Sequence, residues 1–184
     1  GPSGELPSRF GHSLLCVREA GKDTPESGHC YDYGVPDRED MTHVIWNAVR
    51  NTPSFIPVRI EEPRMYEFFK GQGRQIERQR LPLSAEEVDK LEFAIEDEIR
   101  ERRAYAYHPY WANCATQIRD HLDAATNGRL REGPSEIPRG GFRDYTEDGH
   151  SGRVGILTAM ALYLGEGNDR VPTPWEAMLL PFVL

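Results

Sequence analysis

The sequence has little that would tie it to nucleic acid or to a bilayer. Acidic side chains outnumber basic ones by 30 to 22, and no run of Lys or Arg builds a local basic platform, which argues against a nucleic-acid role. No apolar run approaches the roughly 20 residues that a membrane-spanning helix requires. The longest apolar-rich segments, 154–164 and 175–184, suit core helices or a docking tail. Only three cysteines occur, Cys16, Cys30 and Cys114, widely spaced and without a CxxC pair, so they form no metal framework. A zinc site built from His12, Cys114 and another histidine would lack any tight ligand pair, and neither metal nor cofactor is expected. There is no internal repeat and no low-complexity stretch, and no signal peptide is visible in these residues. Gly1-Pro2-Ser3-Gly4 has the form of a cleaved-tag remnant, so residues 1–9 read as remnant and flexible start. Residues 10–184 read as a single domain, long enough to bury a core, and the oligomeric state has no signature.

What is present is a globular composition, 28% charged and 10% aromatic, with patterns of both strand and helix. Residues 10–17 and 29–35 read as strands, separated by a polar, turn-rich segment, and suggest a hairpin with a long loop. Residues 42–51 read as a short helix, and 55–60 as a strand broken by Pro53 and Pro57. The aromatic-rich 66–71 ends in a Gly71-Gln72-Gly73 turn, and 75–83 reads as a strand although it alternates poorly. Ser84 and Glu87 have capping-box spacing, and Val88, Leu91, Ile95 and Ile99 follow at helical spacing, so 85–102 is a helix. An aromatic connector, 104–111, leads to a second helix that runs from Cys114 to about Ala125, with Gly128 as terminator. Residues 130–152 read as a long surface loop, 154–164 as a buried helix, and Thr173-Pro174 as the start of a short closing helix.

Asn113 is a good helix N-cap, which sets Cys114 at the first helical position. Unpaired amides and the helix dipole stabilise negative charge there, and a thiolate is the nucleophilic form of cysteine. The competing reading is an inert buried thiol. A nucleophilic cysteine needs a base, and His12, which follows Gly11 at the head of a strand, stands out from His29, His43, His108, His121 and His150 in loops or beside charges. In the hairpin, His12, Leu14 and Cys16 share one face, and Cys30 and Asp32 share a face on the return strand. If opposed positions sum to 44 or 46, Asp32 lies beside His12 or Leu14, and Cys16 lies near Cys30. An oxidising compartment would permit a Cys16–Cys30 disulfide; two small core side chains is the favoured alternative.

Several stretches resemble the Lnb N-terminal periplasmic domain family. They are Phe10-Gly11-His12-Ser13-Leu14-Leu15 with Tyr31-Asp32-Tyr33-Gly34-Val35, then 73–84, then Tyr105-Ala106-Tyr107 with Asn113-Cys114-Ala115-Thr116-Gln117-Ile118-Arg119-Asp120, and finally 169–181. That family is bacterial and similar to permuted papain-like proteins, including NlpC-type and lecithin:retinol acyltransferase-type enzymes, in which the histidine strand precedes the cysteine helix. The resemblance implies an α+β fold: a small antiparallel sheet carrying the histidine, packed against helices, with the cysteine at a helix N-terminus. It also implies a thiol enzyme of the bacterial periplasm or cell envelope, or an exported one, with an acyl-transfer role in lipoprotein N-acylation in the namesake members. Carried over by position, His12 matches the motif histidine and Cys114 the motif cysteine. Asp32 is the expected orienter, with Tyr33 the alternative. The membrane-spanning part of the namesake members has no counterpart in these 184 residues, and Cys16 and Cys30 are not family hallmarks.

The expected chemistry is acyl transfer or hydrolysis through a thioester on Cys114, with His12 as base. Amides at Asn113 and Cys114 would hold the oxyanion. Arg119 and Asp120 lie beyond the cysteine's own turn and read as a structural ion pair. A lipid or lipoprotein is the expected substrate, with peptide as the alternative. The rival functions are a peptidoglycan amidase or endopeptidase of NlpC type and a non-catalytic envelope binding domain.

Overall fold

A computed structural model describes residues 11–18, 28–37, 53–132, 140–142, 144 and 170–179. The helices expected at 42–51 and 154–164, most of the 130–152 loop, His43, His150 and the first ten residues lie outside them. The described chain is mixed α+β. Its elements are β1 (Leu15–Arg18), β2 (Gly28–Pro36), β3 (Ser54–Glu61), α1 (Glu62–Gly71), α2 (Ala85–Arg100), β4 (Tyr105–Ala106), α3 (Cys114–Ala125), α4 (Arg129–Glu132) and α5 (Pro174–Ala177). The four strands form an antiparallel sheet in the order β1-β2-β3-β4.

Alternation along β2 sends successive side chains to two different layers. Tyr31 and Tyr33 join Leu15 on one face, packed with Leu91 and Ile95 of α2 and Ile118, Leu122 and Ala125 of α3. Cys30 points the other way, against Met65 and Phe69 of α1. Each helix presents its apolar residues at three- and four-residue spacing, the pattern that turns one stripe to the sheet. α2 begins with the full Ser84–Glu87 capping box and ends at Arg100, two residues short of the expected span. α5 begins with a Thr173–Glu176 capping box and Pro174 in its first turn.

Five readings of the sequence differ from the structure. β1 starts at Leu15 instead of residue 10, because Gly11 is left-handed (φ 91°) and the ladder with β2 extends only from Leu15–Tyr31 to Arg18–Gly28. β3 is continuous through Pro57. The aromatic stretch 66–71 belongs to α1, whose start at Glu62 tolerates Pro63 because a first-turn amide needs no helical partner. Residues 75–83 form no strand. Ile76 packs beside the α1 cluster whereas Leu81 and Leu83 pack beside the α2–α3 cluster, so this segment carries the chain from one face of the sheet to the other. The expected surface loop begins as α4, and within it Phe142 is fully buried against Tyr110 and Trp111.

Candidate functional site

β2 is one residue longer than its partner near the end of the sheet. Asp32 pairs with Val58 but Val35 pairs with Ile56, so three steps along β2 span two along β3. The bulge falls at Tyr33-Gly34, across from Pro57, which has no amide hydrogen to contribute to a ladder. An internal strand can therefore hold this proline without losing a bond. Bulges also re-aim side chains, and this one sits where the histidine meets β2.

The pairing of β1 with β2 is Cys16 opposite Cys30, a sum of 46. Continued past Leu15, the same register sets His12 opposite Gly34, and a Cβ at Gly34 would stand 2.5 Å from Cε1 of the His12 ring. The ring thus lies directly on the glycine backbone. Its Nε2 is 2.9 Å from Oδ1 of Asp32, and the same oxygen accepts the Gly34 amide at 2.6 Å. Phe69 flanks the ring with centroids 6.0 Å apart. The Cys114 side chain is a second hydrogen-bond partner of the same ring. With Nε2 taken by Asp32, Nδ1 is the nitrogen left for the thiol. Burial works against a charged imidazole. The hydrogen bonds to Asp32 and Cys114, with the charges of the same two groups, outweigh it and raise the His12 pKa to about 10.

Cys114 opens α3 and is partly exposed. Asn113 caps the helix: its side-chain oxygen accepts the Thr116 amide at 2.9 Å, and its own amide donates to Thr116 Oγ1 at 2.8 Å. The two hydrogens of its side-chain nitrogen go to the carbonyls of Pro109 (2.8 Å) and Leu179 (3.1 Å). Both donors of that amide are spent, so Asn113 is a cap and a tether for the 170–179 segment, not a free oxyanion donor. Among the described residues the amides of Cys114 and Ala115 have no partner, as expected for the first turn of a helix.

Tyr33, the alternative orienter, turns away from His12. Its fully buried hydroxyl donates to Glu98 at 2.9 Å and meets His121 Nε2 at 2.7 Å. Its carbonyl accepts the hydroxyl of Tyr105. Burial, and then the charges of Cys114, Tyr107 and Asp32, disfavour ionisation of Tyr105. The other described histidines have structural partners: His29 meets Glu92 and Tyr31, His121 meets Glu98, and His108 Nδ1 accepts the amides of Tyr110 and Trp111. Cys16 and Cys30 are joined by a disulfide. Arg119 pairs with Asp120 and spans the Trp175 ring at 4.1 Å. No group of His, Cys, Asp and Glu among the described residues could hold a metal ion.

Sequence reasoning gave no site role to Gly34, Tyr105, Phe69 or Leu179, although all but Phe69 lie in the stretches that carry the family resemblance. An isolated glycine inside a strand pattern is a bulge signal, so Gly34 was findable. The others are contacts between distant segments and have no local signature.

The described residues form a four-stranded antiparallel sheet with helices on both faces and bring His12 and Asp32 together near a cysteine at a capped helix start. The family model for the Lnb N-terminal periplasmic domain matches residues 1–142. The chain belongs to that family, which places it in the bacterial periplasm or cell envelope. The 169–181 stretch lies beyond the matched residues. A search of curated proteins and a search of solved structures each found no match. No helix among the described residues is long and apolar enough to cross a membrane.

Proposed function

We propose that the domain is a thiol enzyme of permuted papain-like type, which transfers or hydrolyses acyl groups through a thioester on Cys114. The observation that carries this reading is the convergence on one imidazole of Asp32, 2.9 Å from Nε2, and of the Cys114 thiol at the start of α3. A histidine whose protonated form is favoured is a strong base, and Asp32 fixes its tautomer and stabilises the imidazolium that forms. The thiol proton already rests on His12 as the imidazolium that Asp32 stabilises, and the Cys114 sulfur paired with it attacks an ester or amide carbonyl. The carbonyl oxygen turns to the first-turn amides of Cys114 and Ala115. On collapse the carbon–oxygen or carbon–nitrogen bond breaks, and His12 returns the proton to the leaving group. Water or an amine then displaces the sulfur and restores the thiol.

An apolar acyl substrate, lipid or lipoprotein, suits the approach to the helix start. Trp111 is 43% exposed three residues before Cys114, and Val171, next to the Arg170 guanidinium that lies over the Trp111 ring, is 57% exposed. The test is turnover of a medium-chain aryl ester and a micellar diacyl phospholipid, with a muropeptide as comparison. Ester cleavage that is abolished in Cys114→Ala and reduced by about 10²–10⁴-fold in His12→Ala is expected. Cleavage of the muropeptide alone would replace the lipid substrate by peptide, and full activity in Cys114→Ala would sink the mechanism.

A further inference from the structure

The pair His12–Asp32 bridges two strands, and β1, an edge strand of four residues, has only four register positions with β2 to fix it. Strand register is vulnerable where pairing is short, and a slip of one residue turns every side chain to the opposite face. His12 lies beyond the ladder, on a lead-in of three residues from Leu15 with left-handed Gly11 just before it. Besides Leu15 in the core, register here is held by the Cys16–Cys30 disulfide, set on directly opposed residues with Cα atoms 4.0 Å apart. Cys30 is completely buried against Met65 and Phe69, and Phe69 is also the ring beside His12. Asp32 is two residues along β2 from Cys30, on the same face, and His12 is four residues back from Cys16, again on the same face.

We propose that the disulfide positions the site: by locking Cys16 opposite Cys30 it fixes the one register in which the His12 ring lies on Gly34 and reaches Asp32. The inference rests on the thiol-enzyme reading of that site but concerns how its base is held, not what it attacks. Cys16 and Cys30 are positioning residues, outside the reacting atoms. At the far end of the same ladder Arg18 makes a bidentate pair with the buried Glu62 of α1, for which Gly28 leaves the space. Arg18 thus ties β1 to α1, and the disulfide ties β1 to β2 between that anchor and the site.

The experiment compares the oxidised protein with a Cys16→Ser/Cys30→Val variant, following the Cε1–H resonance of His12 against pH and the alkylation of Cys114 by iodoacetamide. In both proteins Cys114 is the one free thiol. The oxidised protein should keep His12 protonated until about pH 10. In the folded variant the His12 titration should fall toward its ordinary value of 6.5, and alkylation at pH 7 should slow by about tenfold or more. A folded variant with an unchanged titration and alkylation profile overturns the positioning role. If the variant does not fold, the native protein reduced by a phosphine gives the second measurement. A reduced, folded protein with an unchanged His12 titration overturns the proposal, and so does unfolding of both forms, since the bond would then hold the whole fold. An oxidised protein whose His12 already titrates near 6.5 lacks the His12–Asp32–Cys114 arrangement itself, and that outcome removes the reading of the site.

Discussion

Gly34 has a steric duty that no side chain could share, because the His12 ring occupies the space a Cβ would need, 2.5 Å from Cε1. Gly34→Ala should push the imidazole off Asp32 and cost roughly 1–3 kcal/mol as an overpacking change. The drop should appear in denaturant unfolding, together with a His12 titration lowered from about 10. His12 also makes stability depend on pH. Its folded pKa is about 10 against 6.5 for the free side chain, so the native state holds a proton that the unfolded chain releases between those values. This contribution is complete below pH 6.5 and lost as pH rises toward about 10. Unfolding free energy should therefore fall across that window, and Asp32→Asn should flatten the slope. Asp32 and Cys114 could be picked from the sequence because strand alternation and a helix cap fix their local placement, and His12 because the family resemblance marks it, although the ladder stops at Leu15. The choice between Asp32 and Tyr33 could not be made there, since it turns on the bulge and on Glu98 and His121 arriving from α2 and α3.

At the scale of elements, the helix starts carry the strongest local signals and the irregular segments the weakest. Ser84, Asn113 and Thr173 each cap a helix through a side-chain bond to the residue three positions on, a rule that operates within four residues and is readable as such. Asn113→Ala should cost about 0.5–2 kcal/mol for the cap alone. It should also free the Leu179 carbonyl, which would be measured as faster proteolysis within 170–179 than in wild type. Inside the 170–179 segment, hydrogen bonds to Glu176 from Arg170, ahead of those from Thr173, outweigh its burial and hold its pKa at about 2. That depressed carboxylate contributes stability above its ordinary value of 4.5 and loses it as pH falls toward about 2. Glu176→Gln should accordingly reduce the acid dependence of unfolding between those limits. α1 escaped the sequence reading because its apolar anchors, Met65 and Phe69, are only two and follow a proline. Residues 75–83 were misjudged for a different reason, since their three apolar side chains serve two different layers.

Across the whole molecule, three segments far apart in sequence meet at one imidazole: the β1 lead-in, the bulged strand β2 and the start of α3. The α2–α3 layer sets where Cys114 stands, and Ile95→Ala, at a fully buried core position, should cost about 2–5 kcal/mol by cavity formation. The α+β character was legible because strand and helix patterns both occur, and the His-before-Cys order because the family resemblance marks those two positions. The crossing of 75–83 between layers and the burial of Phe142 were not, because they depend on tertiary neighbours that no local pattern announces. The central claim, that Cys114 carries an acyl group during turnover, is tested most directly by intact mass after rapid quenching of the protein with a slow ester substrate. The account predicts an added acyl mass on Cys114 that hydroxylamine removes, that is lost in Cys114→Ala and that is strongly diminished in His12→Ala. Substrate turnover with no adduct at Cys114, or an adduct of equal yield in His12→Ala, would contradict it.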